Sequence, residues 1–171
     1  MKVLILSDSH SALSFMRQCI EAVKPNTVVH LGDHYDDGSA MAEEFPHIRF
    51  YQVPGNCDRY RYDLNAPAVM IPTIGGVRFF MTHGHLHGVK SSPYRLISDA
   101  RSAEATVALF GHTHEACCFL EDGMWVVNPG SCGYYGGSAA LIDVEDKKIS
   151  DCRIIRQSDL DEFTAKAGMQ G

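Results

Sequence analysis

Apolar positions along this chain switch between strand-like and helix-like spacing, and polar clusters fall at the switches. Residues 2–6 are a short apolar run rich in branched side chains, the mark of a strand covered on both faces. The run stops at Ser7-Asp8-Ser9-His10. Leu13, Met16, Ile20 and Val23 then recur near helical spacing, with Ser11 or Ser14 placed to cap that helix and Pro25-Asn26 to end it. Strands are predicted over 27–31, running into Gly32-Asp33-His34, and over 48–53, running into Pro54-Gly55-Asn56-Cys57-Asp58, with a helix over 39–44 between them.

The second half reads more strongly as strand. Segments 69–74 and 77–82 flank Gly75-Gly76 as a hairpin that ends at His83-Gly84-His85. A helix over 93–103 leads to a strand over 106–110, which ends at Gly111-His112-Thr113-His114. Short strands over 116–120, 124–127, 139–144 and 149–155 follow, joined by tight turns such as Glu121-Asp122-Gly123, and the polar C-terminal stretch holds a helix or frays. A βαβ-rich first half and a β-meander second half predict an α/β (α+β) fold with two sheets face to face and helices outside.

Composition narrows the class. With 171 residues, 45% of them hydrophobic, the chain is long enough for one core, and we read 1–171 as a single domain. Disorder is excluded by the same figures. A formal net charge of −6 argues against a protein that grips a nucleic-acid backbone, yet leaves room for a small phosphorylated substrate. No apolar run approaches the roughly 20 residues of a membrane span, and the opening apolar run breaks at Ser7-Asp8 before a signal-peptide core could form. The expected location is the cytoplasm. Six scattered cysteines without a Cys-x-x-Cys pair then read as reduced thiols, which argues against a disulfide framework or a zinc ribbon.

The candidate chemistry sits in the strand-end loops: Asp8-Ser9-His10, Gly32-Asp33, Gly55-Asn56, His83-Gly84-His85 and His112-Thr113-His114. In α/β folds the crevice beyond the carboxyl ends of strands is where ligands bind, so these five loops can converge. Taken singly, an Asp-x-His or a Gly-Asp is ordinary turn chemistry. All five at strand ends is a different matter, because coincidence would scatter them over helices and turns as well. Carboxylate, imidazole and amide suit Mn, Fe, Zn, Co or Ni ions. Two Asp, one Asn and at least four His exceed what one ion needs, which points to two, with Asp33 as the shared carboxylate. The spacings Asp8-x-His10 and His112-x-His114 put alternate side chains on one side of an extended loop. His85 and His87 are weaker candidates than His83, and His30, His34 and His47 read as core or surface residues.

In this order the motifs resemble the calcineurin-like metallophosphoesterases, in particular their small bacterial and archaeal phosphodiesterase branch, over roughly the first 130 residues, up to Asn128-Pro129-Gly130-Ser131. The resemblance implies a four-layer α-β-β-α sandwich of two mixed β-sheets flanked by helices. It implies that Asp8, His10 and His114 hold one divalent ion, that Asn56, His83 and His112 hold a second, and that Asp33 bridges them. The usual ions are Mn²⁺, with Fe, Zn, Ni or Co as alternatives, and a metal-bridging hydroxide is the nucleophile. The implied partner is a small phosphodiester, and a homo-oligomer is compatible with the family.

The sequence departs from the wider family at Asn56-Cys57-Asp58, where many members carry His in place of Cys57. A thiol lacks the imidazole's charge near neutral pH and is a poor substitute as leaving-group acid. Either substrates with good leaving groups are preferred, or Asp58 or His85 supplies the proton. Cys57 as a covalent nucleophile is a further candidate role that the metal hydroxide makes unnecessary. Arg59, Tyr60, Arg61, Tyr134 and Tyr135, beside the motif loops, are expected at the substrate entrance.

Four other readings compete. A protein-interaction scaffold of this fold would lose part of the ligand set, whereas all seven positions here carry competent residues. Phosphomonoesterase and nuclease readings keep the mechanism and change the substrate. Calcium binding rests on Asp33, Asp37, Gly38 and Glu44, which partly imitate an EF-hand loop, but Tyr35 stands where that loop needs a carboxylate.

Overall fold

In the computed structural model, residues 1–60 and 65–168 are described, together with the side chains of all of these except 59, 60 and 164–168. The expected strand–helix alternation is present. Strand β1 (Lys2–Leu6) leads to α1 (Leu13–Val23), β2 (Thr27–His30), α2 (Tyr35–Glu44) and β3 (Arg49–Gln52). The chain continues through β4 (Val69–Met70), β5 (Thr73–Ile74), β6 (Val77–Thr82), α3 (Tyr94–Ser102) and β7 (Val107–Leu109). It closes with β8 (Cys117–Glu121), β9 (Met124–Asn128), β10 (Ser138–Glu145), β11 (Lys148–Arg156) and α4 (Gln157–Gly168).

Two mixed sheets result, ordered β11-β10-β1-β2-β3 and β4-β6-β7-β9-β8, with β5 also paired to β6. Alternation along β1 explains how they stack. Val3 and Ile5 join Phe79, Met81, Val107, Leu109 and Val127 in the core between the sheets. Leu4 and Leu6 point the other way, against Phe15, Met16 and Ile20 of α1, Met41 of α2 and Leu160 of α4. On the far side, Phe80, Ala108 and Val126 pack on Leu96, Ile97 and Ala100 of α3. Both sheets are thus covered on both faces, and the layer order is α-β-β-α.

Three local expectations are corrected. Neither Ser11 nor Ser14 caps α1: its N-cap is Ala12, and the Ser11 N–H is bound at 2.8 Å by Asp37 Oδ2 from α2. Helix α2 begins four residues before its expected start because the Asp58 carboxylate accepts the Tyr35 N–H at 2.8 Å and Asp36 and Asp37 favour the positive helix end. The strand over 69–74 is broken at Pro72, which has no N–H to give the ladder, although the Phe79 N–H still reaches the Pro72 carbonyl at 3.0 Å. The early start of α2 also removes the calcium reading, since 35–44 is helix and Glu44 pairs with Arg17.

Candidate metal centre

Backbone bonds that continue the sheets past their strand ends draw the motif loops together. The Leu31 N–H reaches the Leu6 carbonyl at 2.9 Å, Asp8 N–H the Gly32 carbonyl at 2.9 Å, and His10 N–H the Asp33 carbonyl at 3.3 Å. In the second sheet Gly111 N–H reaches the His83 carbonyl at 2.9 Å. The sheets are joined at this end by Asp8 itself: its Oδ2 accepts the Ser7 hydroxyl at 2.5 Å and the His112 N–H at 3.1 Å.

Each buried carboxylate divides its oxygens between two tasks. With Oδ2 braced, Asp8 Oδ1 turns into the cluster, 3.1 Å from His114 Nε2 and 4.0 Å from His83 Nε2. Asp33 likewise gives Oδ1 to the Cys57 N–H at 2.8 Å and directs Oδ2 to within 3.4 Å of His83 Nε2. His83 is fixed from behind, because its Nδ1 lies 2.7 Å from the Leu31 carbonyl. A carbonyl only accepts, so Nδ1 carries the proton and Nε2 faces inward, 3.1 Å from Asn56 Oδ1.

Two overlapping groups of ligand-type atoms follow, each with its members within 4.8 Å of one another: Asp8, His10 and His114, and Asp8, Asp33 and His83. His83 and His112 approach at 5.1 Å between ring centroids, and His85 lies 5.4 Å from His83 and 6.1 Å from His112. Asp8 Oδ1 and His10 Nε2 are buried without hydrogen-bond partners, His114 meeting Asp8 Oδ1 without hydrogen-bond geometry. Buried polar atoms are normally satisfied. A carboxylate oxygen and an imidazole nitrogen left without hydrogen bonds in one cluster fit a cation.

Burial and the close pairing of charges shift these groups in different directions. Burial raises the Asp8 carboxyl above its usual value despite nearby His83. Burial pushes Asp33 the same way, but the bond and charge of His83 and the Cys57 N–H outweigh it and hold Asp33 well below the carboxylate range. For His83, desolvation is overcome by Asp33 and Asp8, which raise it. His10 is lowered by burial, and His112, by burial and then His83, to about 4, so both present neutral rings.

Holding these groups requires unusual backbone. Asp8, His10, Asp33, His112 and His114 all have positive φ, between 42° and 67°. Non-glycine residues rarely adopt this conformation, and they do so where surrounding structure enforces it, often at functional sites. Glycine is required at Gly55, where a Cβ would lie 2.0 Å from Asp33 Oδ1 and 2.7 Å from the Asp33 nitrogen.

The remaining expected site residues divide. Tyr134 is beside the cluster, its ring stacked on His114 at 5.1 Å and edge-on to His10 at 5.1 Å. Asp58 is buried and accepts backbone N–H groups from Asp33 (3.0 Å), Tyr35 (2.8 Å) and Gly55 (2.7 Å). Cys57 is exposed, but burial of part of the thiol and the Asp33 carboxylate push it up to about 11, against a nucleophilic thiolate. His87 faces Asp99 of α3, 3.5 Å away. The side chains of Arg59 and Tyr60, and all of Arg61, lie outside the described residues.

The sequence reading missed what stands behind the loops. Gly32 N–H reaches His30 Nδ1 at 3.4 Å, so His30 Nε2 donates to Ser9 Oγ at 3.0 Å. Ser9 in turn donates to Asp37 Oδ2 at 2.8 Å. Asn128 donates to the Gly111 carbonyl at 3.1 Å and Thr113 Oγ1 at 2.9 Å, fixing the His112–His114 loop. The only signal was position: Ser9 lies between two candidates and Asn128 ends a strand.

The geometry describes clustered carboxylate and imidazole groups that could hold metal ions, and comparison with known proteins supplies the class. Residues 1–147 match the calcineurin-like phosphoesterase superfamily domain. The chain belongs to that family. It is 32% identical over 134 residues to the probable metallophosphoesterase YsnB of Bacillus subtilis, covering 77% of this chain and 75% of that one. It is 30% identical over 167 residues to the phosphodiesterase MJ0936 of Methanocaldococcus jannaschii, covering 86% and 96%. A crystal structure from Streptococcus pneumoniae, described as a predicted phosphoesterase, superposes with a TM-score of 0.74 over 92% of this chain and 90% of its own at 24% identity, a likeness of fold alone. Among the described residues no helix is long and apolar enough to cross a membrane.

Proposed function

We propose that this protein is a dinuclear metal-dependent phosphodiesterase acting on small phosphodiesters. Asp8, His10 and His114 would hold one ion, Asn56, His83 and His112 the other, and Asp33 would bridge them, with Mn²⁺ the first candidate and Fe, Zn, Ni or Co next. The observation that carries the reading is the division of labour in the two carboxylates: Asp8 and Asp33 each spend one oxygen on a backbone N–H and aim the other at a common space.

Divalent ions in such a site polarise phosphoryl oxygens and lower the pKa of bound water. The chain's own residues do the rest. Asp33 supplies a fixed negative charge, while the His83 Nδ1–H bond to Leu31 keeps Nε2 facing inward. The Asp58 and Asn128 bonds fix the loops that would position the substrate for an in-line displacement. In that displacement water oxygen bonds to phosphorus, one ester P–O bond breaks, and the departing alcohol leaves with a proton. With Asp58 committed to backbone donors, His85 is the better placed of the two expected proton donors.

The test is hydrolysis of bis-p-nitrophenyl phosphate beside p-nitrophenyl phosphate by metal-stripped protein reloaded with Mn²⁺. Diester cleavage should return with the ion and fall in Asp33→Asn by more than the roughly 10–100-fold typical of outer-shell changes. Cleavage of the monoester alone would retain the metal chemistry and reject the substrate class.

A further inference from the structure

Two aromatic side chains stand out of the surface next to the cluster. Tyr134 is 49% exposed and Tyr135 89%, in the turn Gly133-Tyr134-Tyr135-Gly136-Gly137. Exposed aromatic rings on a flexible loop would be unremarked, but this turn is tied down at its root. Ser131 Oγ donates to the Asp8 carbonyl at 2.7 Å and accepts the N–H groups of Gly133 and Tyr134, each at 3.1 Å. Gly133 N–H also reaches the Asp8 carbonyl at 3.3 Å, and Gly137 N–H closes the turn on the Tyr134 carbonyl at 3.0 Å. The residue that anchors the turn is thus the one whose side chain faces the cluster.

The rings continue that geometry. Tyr134 lies parallel to His114, 15° between planes, and Tyr135 follows at 6.5 Å, tilted by 50°. From the His10–His114 side of the centre outward, the surface is therefore a short run of aromatic faces. Fixed π faces of this kind take up planar rings by stacking and discriminate little between ring types. An aliphatic ester group would gain much less there.

We propose that the Tyr134–Tyr135 turn is the binding site for a planar aromatic or heteroaromatic ring, such as a nucleobase, carried on one ester arm of the substrate. The inference rests on the phosphodiesterase reading for its choice of substrate, although the aromatic site itself does not. It narrows the substrate class to diesters with one ring-bearing arm. The phosphate would then sit at the cluster and the ring outside it over the turn.

The experiment compares thymidine 5′-(2,2,2-trifluoroethyl phosphate) with its counterpart lacking the base, which share a non-aromatic leaving group so that the base is the only ring, on the Mn²⁺-loaded full chain, with trifluoroethanol release read by fluorine NMR. Alongside, saturation-transfer NMR on the metal-free protein reads contact of the thymine ring directly. The wild type should favour the base-bearing ester in kcat/KM by about tenfold, a preference that Tyr134→Leu collapses toward unity and Tyr134→Phe retains. Saturation transfer to the thymine should be strong in the wild type and lost in Tyr134→Leu. Equal cleavage of both esters would overturn the aromatic site and leave the diesterase reading standing. Cleavage of neither, with thymine contact retained, would reject the diesterase reading and keep the aromatic site; cleavage of neither without contact would reject both.

Discussion

Asp58 Oδ2 accepts the backbone N–H of Asp33 at 3.0 Å and that of Gly55 at 2.7 Å, so one buried carboxylate sets the spacing of the two loops that carry Asp33 and Asn56. Replacing it with alanine leaves three backbone donors, those of Asp33, Gly55 and Tyr35, without their partner. An unsatisfied buried donor costs about 1–3 kcal/mol. Asp58→Ala should lower Tm and weaken metal affinity by about 10–100-fold, as loss of outer support for metal ligands does, when measured by isothermal titration calorimetry. Unchanged affinity would leave Asp58 with no part in shaping the site.

The Cys57 thiol is exposed yet pushed up to about 11. Only the thiolate alkylates, and near pH 8 about one thiol in a thousand is ionised at that pKa. In the metal-free protein, iodoacetamide labelling of Cys57 followed by mass spectrometry should be slow at about pH 8 and climb nearly tenfold per unit toward pH 11. Cys57→Ser should keep its hydrolytic activity within a few-fold of wild type. Complete inactivation would restore the cysteine as a nucleophile.

Buried His30 is pushed down to about 4 by desolvation, against an unfolded value near 6.5. Between those values the unfolded chain binds the proton and the folded one does not, so stability falls as pH drops from about 6.5 to about 4 and this contribution is flat outside that window. The gap of about 2.5 units corresponds to roughly 3 kcal/mol across the window. Urea unfolding at a series of pH values should show a shallower decline for His30→Gln than for the wild type. Parallel curves would mean that His30 is protonated in the fold.

Gly55 offers a steric test that leaves every polar group in place. A methyl there would meet Asp33 Oδ1 at 2.0 Å and the Asp33 nitrogen at 2.7 Å, and backbone cannot move aside as a flexible side chain can. Gly55→Ala should displace the Asp33 loop and reduce metal affinity more than Asp58→Ala does, with titration calorimetry as the readout. Normal affinity would show that the loop has slack the packing does not suggest.

The layers and the five loops were legible because the apolar runs that lead into them are short and stop at polar side chains, as at Leu6-Ser7-Asp8 and Phe110-Gly111-His112. Period and position alone carry that information. What was not legible depends on contacts far apart in sequence. The α2 start is set by Asp58, 23 residues beyond Tyr35, and the N–H of Ser11 is taken by Asp37 instead of helping an N-cap. His30 reads from the sequence as a core or surface residue, and only the fold brings Ser9 and Asp37 into line with it. The left-handed backbone at Asp8, His10, Asp33, His112 and His114 has only a weak local signal, since Asp and His adopt it more readily than most residues but the converging loops impose it.

Two ions sharing one site across the two sheets is what the proposed function requires. Metal-stripped protein titrated with Mn²⁺ in the calorimeter, with bound metal counted by elemental analysis after desalting, tests it directly. Two ions per chain are expected in the wild type, with loss of both sites' tight binding in Asp33→Asn because that residue would serve both. One ion per chain, or two that bind as tightly in Asp33→Asn as in the wild type, would contradict it.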